Sequence, residues 1–427
     1  MRTHLLTASE SSAKIASKQL TSRELLDASL NQIAAREPTV QAWQFIDRKG
    51  AVERAAAADR DMLQGPLEGI PVGIKDIIDT ANMPTTYGSK LFEGNIPAAD
   101  AACVTKLHES GMIVLGKTVS TEFAYLQPSK TANPCHPAHS PGGSSSGSAA
   151  AVAACMVPVA LATQTAGSCI RPSSYCGVFG YKPTFGLFDT TGVMRLAESL
   201  DTLCIIARSV RDIALVGHQL STRLKPLARL PGRSPARIGF AILSEEWSVD
   251  HPEAFAVYNP IKRKLADAGI SFADVDLSDA VRGLHALHAD ILSYEAAGNF
   301  GTLFDSNNGS ISAPVLGLVT RGRSLSRSEF QLRIFEAERR RALMDHLLEE
   351  LDIVITPSAP GGAPKREAGT GLPIFNSFWT LLHVPCITIP VLKTATGLPL
   401  GLQLTSRRDA DQTLLAFAET LFDILGT

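Results

Sequence analysis

The 427-residue sequence has no apolar run long enough to cross a bilayer. The longest, Ala149 to Ala162, is too short and is interrupted by Pro158. Met1 to Ser12 lacks the apolar centre of a secretory leader. These absences predict a cytoplasmic protein that does not enter a membrane. An excess of either charge is also missing. Forty Lys and Arg stand against 42 Asp and Glu, a formal net charge of −2, which gives no basic footprint for nucleic acid or an acidic lipid surface. The one short basic run, Arg339-Arg340-Arg341, follows Glu336 and Glu338. It reads as the solvated face of a helix carrying local ion pairs. Cysteines are few and unpaired in pattern. Cys103, Cys135, Cys155, Cys169, Cys176, Cys204 and Cys386 are odd in number, irregularly spaced and without a Cys-x-x-Cys pair. That excludes a zinc ribbon and argues for reduced thiols over a disulfide framework. No internal repeat recurs at a fixed period.

What is present is apolar material for a large core: 45% of residues are hydrophobic against 19% charged. Residues 8 to 36 read as a hairpin of two helices. Thr21-Ser-Arg-Glu24 forms a capping box at the second of them, and Leu26, Leu30 and Ile33 share one face. From about residue 66 short apolar strands alternate with helices. Strands are predicted at Ile70–Ile74, Met112–Leu115, Val157–Leu161, Ile238–Ile242, Phe272–Val275, Ile353–Thr356, Cys386–Val391 and Gly401–Leu404. Helices are predicted at Asp100–Ser110 with Asp100 as N-cap, Gly147–Cys155, Pro252–Ala268 and Ser328–Leu351. Arg223–Arg237 and Ala359–Pro373 read as surface connections. The alternation predicts an α/β fold: one large sheet, mostly parallel or mixed, with helices on both faces. The expected layout is a single unit over 1–427. Within it lie an N-terminal helical segment (1–60), a core with the chemistry (66–215), and a remainder (216–427) completing the sheet and pocket.

Three segments could carry chemistry. In Gly69-Ile-Pro-Val-Gly-Ile-Lys75-Asp-Ile-Ile-Asp-Thr80 a lysine stands in the middle of an apolar run. Burial disfavours the ammonium form, which would make Lys75 a base near neutral pH; the plainer reading is a strand-end lysine that pairs with Asp76 or Asp79. In Ser140-Pro-Gly-Gly-Ser144-Ser-Ser-Gly-Ser-Ala-Ala-Ala151, glycine and serine lead into an alanine-rich helix whose free amides face an open end. A phosphate loop is a reading in principle, but the Gly-x-x-x-x-Gly-Lys-Ser/Thr spacing is absent and no lysine follows the glycines. In Thr163-Gln-Thr-Ala-Gly-Ser168-Cys-Ile-Arg171-Pro, a serine follows a strand on a tight turn. The amides of Thr165, Ala166, Gly167 and Ser168 could hold an oxyanion there. Alone, Ser168 reads equally as an ordinary turn serine.

Taken together, the three segments resemble the signature of the amidase signature family. The pattern Gly-Gly-Ser-Ser-x-Gly-Ser through Gly-Ser to Gly-Tyr-Lys-Pro-Thr runs from Gly142 to Thr184. Weaker similarity covers Ser199-Leu-Asp-Thr202, Ile355-Thr-Pro-Ser358 and Leu398-Pro-Leu-Gly401. The arginine three positions after the serine resembles a malonamidase-like branch. The resemblance implies the amidase signature fold, with Ser168 as nucleophile, Ser144 as a bridging serine after a cis peptide bond, and Lys75 as base. It implies no cofactor, no metal, and a small-molecule amide as substrate, with a homodimer as the assembly to look for. Arg171 is the candidate for a substrate carboxylate, which would suit a malonamate-like half-amide, with a structural ion pair as the plainer role. Gly143, Tyr125 and Gln127 are further candidates for the pocket. Gln164 stands where many members have Asp. Cys204-Ile205 and His383 stand where the family has glycine, adding bulk near the expected pocket.

Two rival functions belong beside this one. The chain could be an amidotransferase A-type subunit, which releases ammonia from glutamine for a partner protein, or a binding protein that keeps the fold without the chemistry. Cys169 and Cys176 as thiol nucleophiles match no family position. His285-Ala-Leu-His288 has metal-like spacing but no third ligand nearby in sequence. The proposed chemistry needs no histidine.

Overall fold

The computed structural model describes residues 2–60, 65–227, 237–243 and 250–426. Eleven strands form one sheet. They are β1 (Trp43–Ile46), β2 (Pro71–Lys75), β3 (Ile113–Thr118), β4 (Val159–Gln164), β5 (Phe179–Lys182), β6 (Thr202–Ala207), β7 (Ile238–Ile242), β8 (Phe272–Asp276), β9 (Ile353–Pro357), β10 (Cys386–Lys393) and β11 (Pro399–Thr405). Their order is β1-β3-β2-β4-β6-β5-β10-β11-β9-β7-β8. Neighbours are parallel in β3-β2-β4 and in β9-β7-β8, and antiparallel elsewhere. The sheet is therefore mixed, and the mostly parallel form of the expectation falls.

Alternation along β4 and β6 shows why both faces are covered. Val159, Leu161, Leu203, Ile205 and Ala207 enter one core, together with Val104 and Leu107 of the helix Ala102–Glu109 and Val210 and Ile213 of the helix Val210–Leu220. Ala160, Ala162, Cys204 and Ile206 enter the other. There they meet Leu26, Leu30 and Ile33 of the helix Ser22–Val40 and Ala149 to Val152 of the helix Ser146–Ala153. With period-2 side chains and helices on each side, every strand residue here is buried, so the strands read as continuous apolar runs.

The N-terminal hairpin is present as Ala8–Ala16 and Ser22–Val40, and the Thr21/Glu24 capping box forms. The segment 1–60 is not wholly helical, however. Trp43–Ile46 adds an edge strand to the sheet, antiparallel to β3. The strands β5 and β6 also escaped the sequence reading. The first is only four residues long, and the second lies beside a motif whose interest was chemical. The helix at 100–110 begins later than expected. Its N-cap is Ala101, and Asp100 instead accepts from the Ala81 amide at 2.7 Å. The basic run divides as well. Arg339 and Arg340 pair with Glu336 as read, but Arg341 is buried and donates to the Leu381 carbonyl at 2.9 Å. Most of the connection Arg223–Arg237 lies outside the described residues. Among the described residues no helix is long and apolar enough to cross a membrane.

Candidate active site

Lys75 ends β2 with its whole side chain buried. Its Nζ donates to Ser144 Oγ at 2.7 Å and to Thr163 Oγ1, on the neighbouring strand β4, at 2.7 Å. Burial pulls the ammonium from 10.5 down to about 7, opposed by the nearby Cys204, Cys169 and Asp201. The pairing with Asp76 or Asp79 does not form. Asp76 turns to Thr86, and Asp79 accepts from Tyr87 at 2.8 Å.

Ser144 follows a cis peptide bond from Gly143. It sits just before the helix Ser146–Ala153, which is pressed against its surroundings. A Cβ on Gly147 would lie 2.2 Å from the Ala42 carbonyl oxygen and 2.3 Å from the Val119 nitrogen. The Ser144 carbonyl accepts from the Thr121 amide at 3.1 Å, and the Ser145 amide donates to the Ser168 carbonyl at 3.3 Å. The last bond brings the second segment against the third.

Ser168 stands three residues past Thr165 on the turn that leaves β4, and is 8% exposed. Its hydroxyl forms no hydrogen bond among the described residues. The same holds for the amides of Ala166, Gly167 and Ser168. Buried or half-buried amides without an acceptor are unusual, and donors at a reacting centre are kept free in this way. Gln164 holds the start of the next helix. Its Oε1 accepts from the amides of Cys169 and Ile170, both at 3.0 Å, and its Nε2 donates to Thr380 Oγ1 at 3.1 Å. A carboxylate at this position could accept both amides but could not donate to the threonine.

Arg171 is 2% exposed and lies behind the cis bond. Its Nη2 donates to the Gly143 carbonyl at 2.7 Å, while Nε and Nη1 have no partner among the described residues. Burial lowers its guanidinium to about 10. Among the described residues no carboxylate pairs with it, so the plain reading as an ion pair is not met. Gln127 is exposed and lines a cavity of about 440 Å³ with Asp76, Ser120, Thr121 and Glu122. A second cavity, about 420 Å³, is lined by Ser140, Pro141, Gly142 and Thr370. The second cavity borders the segment that carries Ser144, while Lys75 and Ser168 line neither cavity. Tyr125 is half-buried, with its carbonyl accepting from Thr121 Oγ1 at 2.5 Å.

Several neighbours of the site were given no role by the sequence. Asp201 is half-buried and accepts from Thr165 Oγ1 at 2.5 Å and from the amides of Leu196 and Ala197 at 2.7 and 3.0 Å. Burial raises its carboxyl to about 6 despite these bonds. Thr163 and Thr380 likewise look like any other strand or helix threonine in the sequence. His383 stacks on Phe185 and bonds the Ser199 carbonyl at 2.8 Å, and its φ of +64° is the conformation in which glycine costs least. Cys204 is a buried β6 residue opposite Ala162. Cys169 and Cys176 are buried, and burial pushes the Cys176 thiol well up, away from the thiolate. No cluster of three metal-binding side chains occurs among the described residues.

A family model described as Amidase matches residues 24–415. The A-type subunit of the glutamyl-tRNA(Gln) amidotransferase of Anaeromyxobacter sp. (strain K) is 33% identical over 477 aligned residues, covering 98% of this chain and 96% of that protein. Among solved structures, one described as a crystal structure of amidase superposes with a TM-score of 0.90 at 25% identity, covering 99% of this chain and all of the other. The corresponding A-type subunit from Thermotoga maritima gives 0.79 at 28% identity, covering 97% and 94%.

Proposed function

The chain belongs to the amidase family and is an amide-hydrolysing enzyme, and from that premise we propose that it breaks the C–N bond through an acyl-enzyme on Ser168. The observation that carries this reading is the 2.7 Å contact between the Nζ of a fully buried Lys75 and Ser144 Oγ. Ser168 Oγ attacks the amide carbonyl, and its proton passes to Ser144 while the Ser144 proton passes to Lys75. The carbonyl oxygen takes up negative charge against the free amides of Ala166, Gly167 and Ser168. Lys75, now an ammonium ion, returns a proton through the same path to the departing nitrogen, and the C–N bond breaks. Water then attacks the ester by the reverse sequence and frees the acid. An amine with a pKa near the working pH suits both directions of transfer.

For the substrate, the relatives favour the amidotransferase A-type reading over a malonamate-like half-amide. On that reading a carboxamide of the glutamine type is cleaved and its ammonia is used by a partner protein. The half-amide reading keeps one supporting observation, the buried Arg171 with two nitrogens free to meet a carboxylate. Ammonia release from glutamine and from malonamate, by the chain alone and with candidate partner proteins, separates the two. Glutamine cleavage that rises with a partner supports the first reading, and malonamate cleavage by the chain alone supports the second. A fluorophosphonate that labels a residue other than Ser168 would remove the common mechanism.

A further inference from the structure

The Ser168 turn is gripped from outside by groups far away in sequence. His288, on the helix Leu284–Asn307, is 4% exposed, and its Nε2 lies 2.8 Å from the carbonyl oxygen of Thr165. A carbonyl only accepts, so Nε2 carries the proton and the ring is the neutral Nε2–H tautomer or the imidazolium. Burial holds the ring well toward neutral, at about 4. The next carbonyl, of Ala166, accepts from Thr380 Oγ1 at 2.8 Å, and that of Gly167 accepts from the Arg171 amide at 3.1 Å. The Thr165 side chain is held separately by Asp201.

These bonds have a geometric consequence. In a trans peptide the C=O of one residue and the N–H of the next point in opposite directions within one rigid plane. The cis bond of the described residues is at Gly143–Ser144, so the peptides of the turn are trans. Pinning the Thr165 carbonyl therefore fixes the direction of the Ala166 N–H, one of the amides without an internal acceptor. We propose that His288 is a positioning residue, which aims the Ala166 amide at the oxyanion by holding the opposite end of the same peptide plane. The inference rests on the acyl-enzyme reading and adds to it a histidine that acts without transferring a proton to the substrate.

The grip differs from ordinary packing in what it asks of the side chain. It needs a donor at the Nε2 position, and a hydrocarbon of similar volume cannot supply one. Losing it would free the plane to rotate and leave the Thr165 carbonyl without its partner, while the substrate pocket keeps its walls.

The test uses the full chain and a fluorophosphonate, which Ser168 would attack with loss of fluoride, the phosphoryl oxygen taking the oxyanion position. The maximal labelling rate and the half-saturating concentration are measured separately for wild type, His288→Leu and His288→Gln, with circular dichroism and thermal unfolding as controls. His288→Leu is expected to slow the maximal rate about 10- to 100-fold with the half-saturating concentration within about twofold. His288→Gln, whose amide can still donate, is expected to recover most of that loss. A wild-type maximal rate in His288→Leu overturns the inference alone, as does a His288→Gln that labels no faster than His288→Leu. A wild-type enzyme whose Ser168 is not labelled overturns the acyl-enzyme reading and the inference with it.

Discussion

Arg171 Nη2 donates to the carbonyl of Gly143 at 2.7 Å, on the residue that immediately precedes Ser144. One guanidinium thus touches the backbone of the Ser144 segment while sitting on the helix that follows Ser168. It ties the two serine segments together from behind and leaves Nε and Nη1 buried without a partner among the described residues. The side chain holds the Ser144 segment, and on the half-amide reading its other two nitrogens would also meet a substrate carboxylate, so its replacement should then divide substrates by charge.

Arg171→Ala is expected to lower kcat/KM for malonamate by about 10- to 100-fold if those nitrogens bind a carboxylate, the size of one or two charge-assisted hydrogen bonds. Propionamide, which has no carboxylate, should change far less. Arg171→Lys should fall between, because a lysine cannot bind in two places at once. Steady-state ammonia release with both amides is the measurement. Equal losses for the two would leave Arg171 with a structural role only.

The pH dependence of kcat/KM should carry an acid limb near pH 7. Lys75 works as an amine, and burial places its pKa at about 7, so activity should fall about tenfold per pH unit below that point. Asp201, at about 6, is the nearest other group whose charge changes in that range. His285 and His288, both at about 4, remain neutral across it. Lys75→Met should lose about 10³-fold or more in kcat at every pH. A profile flat from pH 5 to 8 would contradict the role of Lys75.

Lys75 also costs stability, with a definite sign. Its pKa is about 7 when folded and 10.5 when exposed. Between these values the unfolded chain binds the extra proton, so stability rises with pH through that window. Below pH 7 the ammonium is buried in full and the cost, a few kcal/mol, is complete. Lys75→Met should therefore be more stable than wild type at pH 6, with the gap closing toward pH 10. Urea unfolding at several pH values measures it; a gap that widens with pH would reverse the argument.

Gly147→Ala should be among the most damaging conservative changes. The added methyl would lie 2.2 Å from one backbone atom and 2.3 Å from another, and neither belongs to a side chain that can rotate away. A loss on the order of 3 kcal/mol is expected. Thermal unfolding reads it directly. Because the same helix follows Ser144, fluorophosphonate labelling should slow in parallel.

The sequence offered Lys75, Ser144 and Ser168 as the candidate reacting groups, because each lies in a local pattern that a strand, a turn or a helix start imposes on its neighbours. Lys75 was readable because an amine in the middle of an apolar run is conspicuous. His288 was not. Its partner, the Thr165 carbonyl, is 123 positions away, and a backbone oxygen leaves no trace in residue type. Thr380 was hidden for the same reason, its partner being the Ala166 carbonyl, whereas Asp201 stood in a noted motif and only its contact with Thr165 was unreadable. The fold was legible in its alternation, yet β1 and β5 were too short to declare themselves, and parallel or antiparallel pairing depends on connections rather than on strand composition.

By itself, then, the sequence determined which groups could react and that a helix-covered sheet would carry them, since apolar period and chain-local geometry are written residue by residue. Only the tertiary structure decided that the lysine meets the serine at hydrogen-bond distance, that a buried arginine backs the cis bond, and that the Thr165 and Ala166 carbonyls of the Ser168 turn are held by His288 and Thr380. Those are matters of distance between segments remote along the chain, and distance is set by packing.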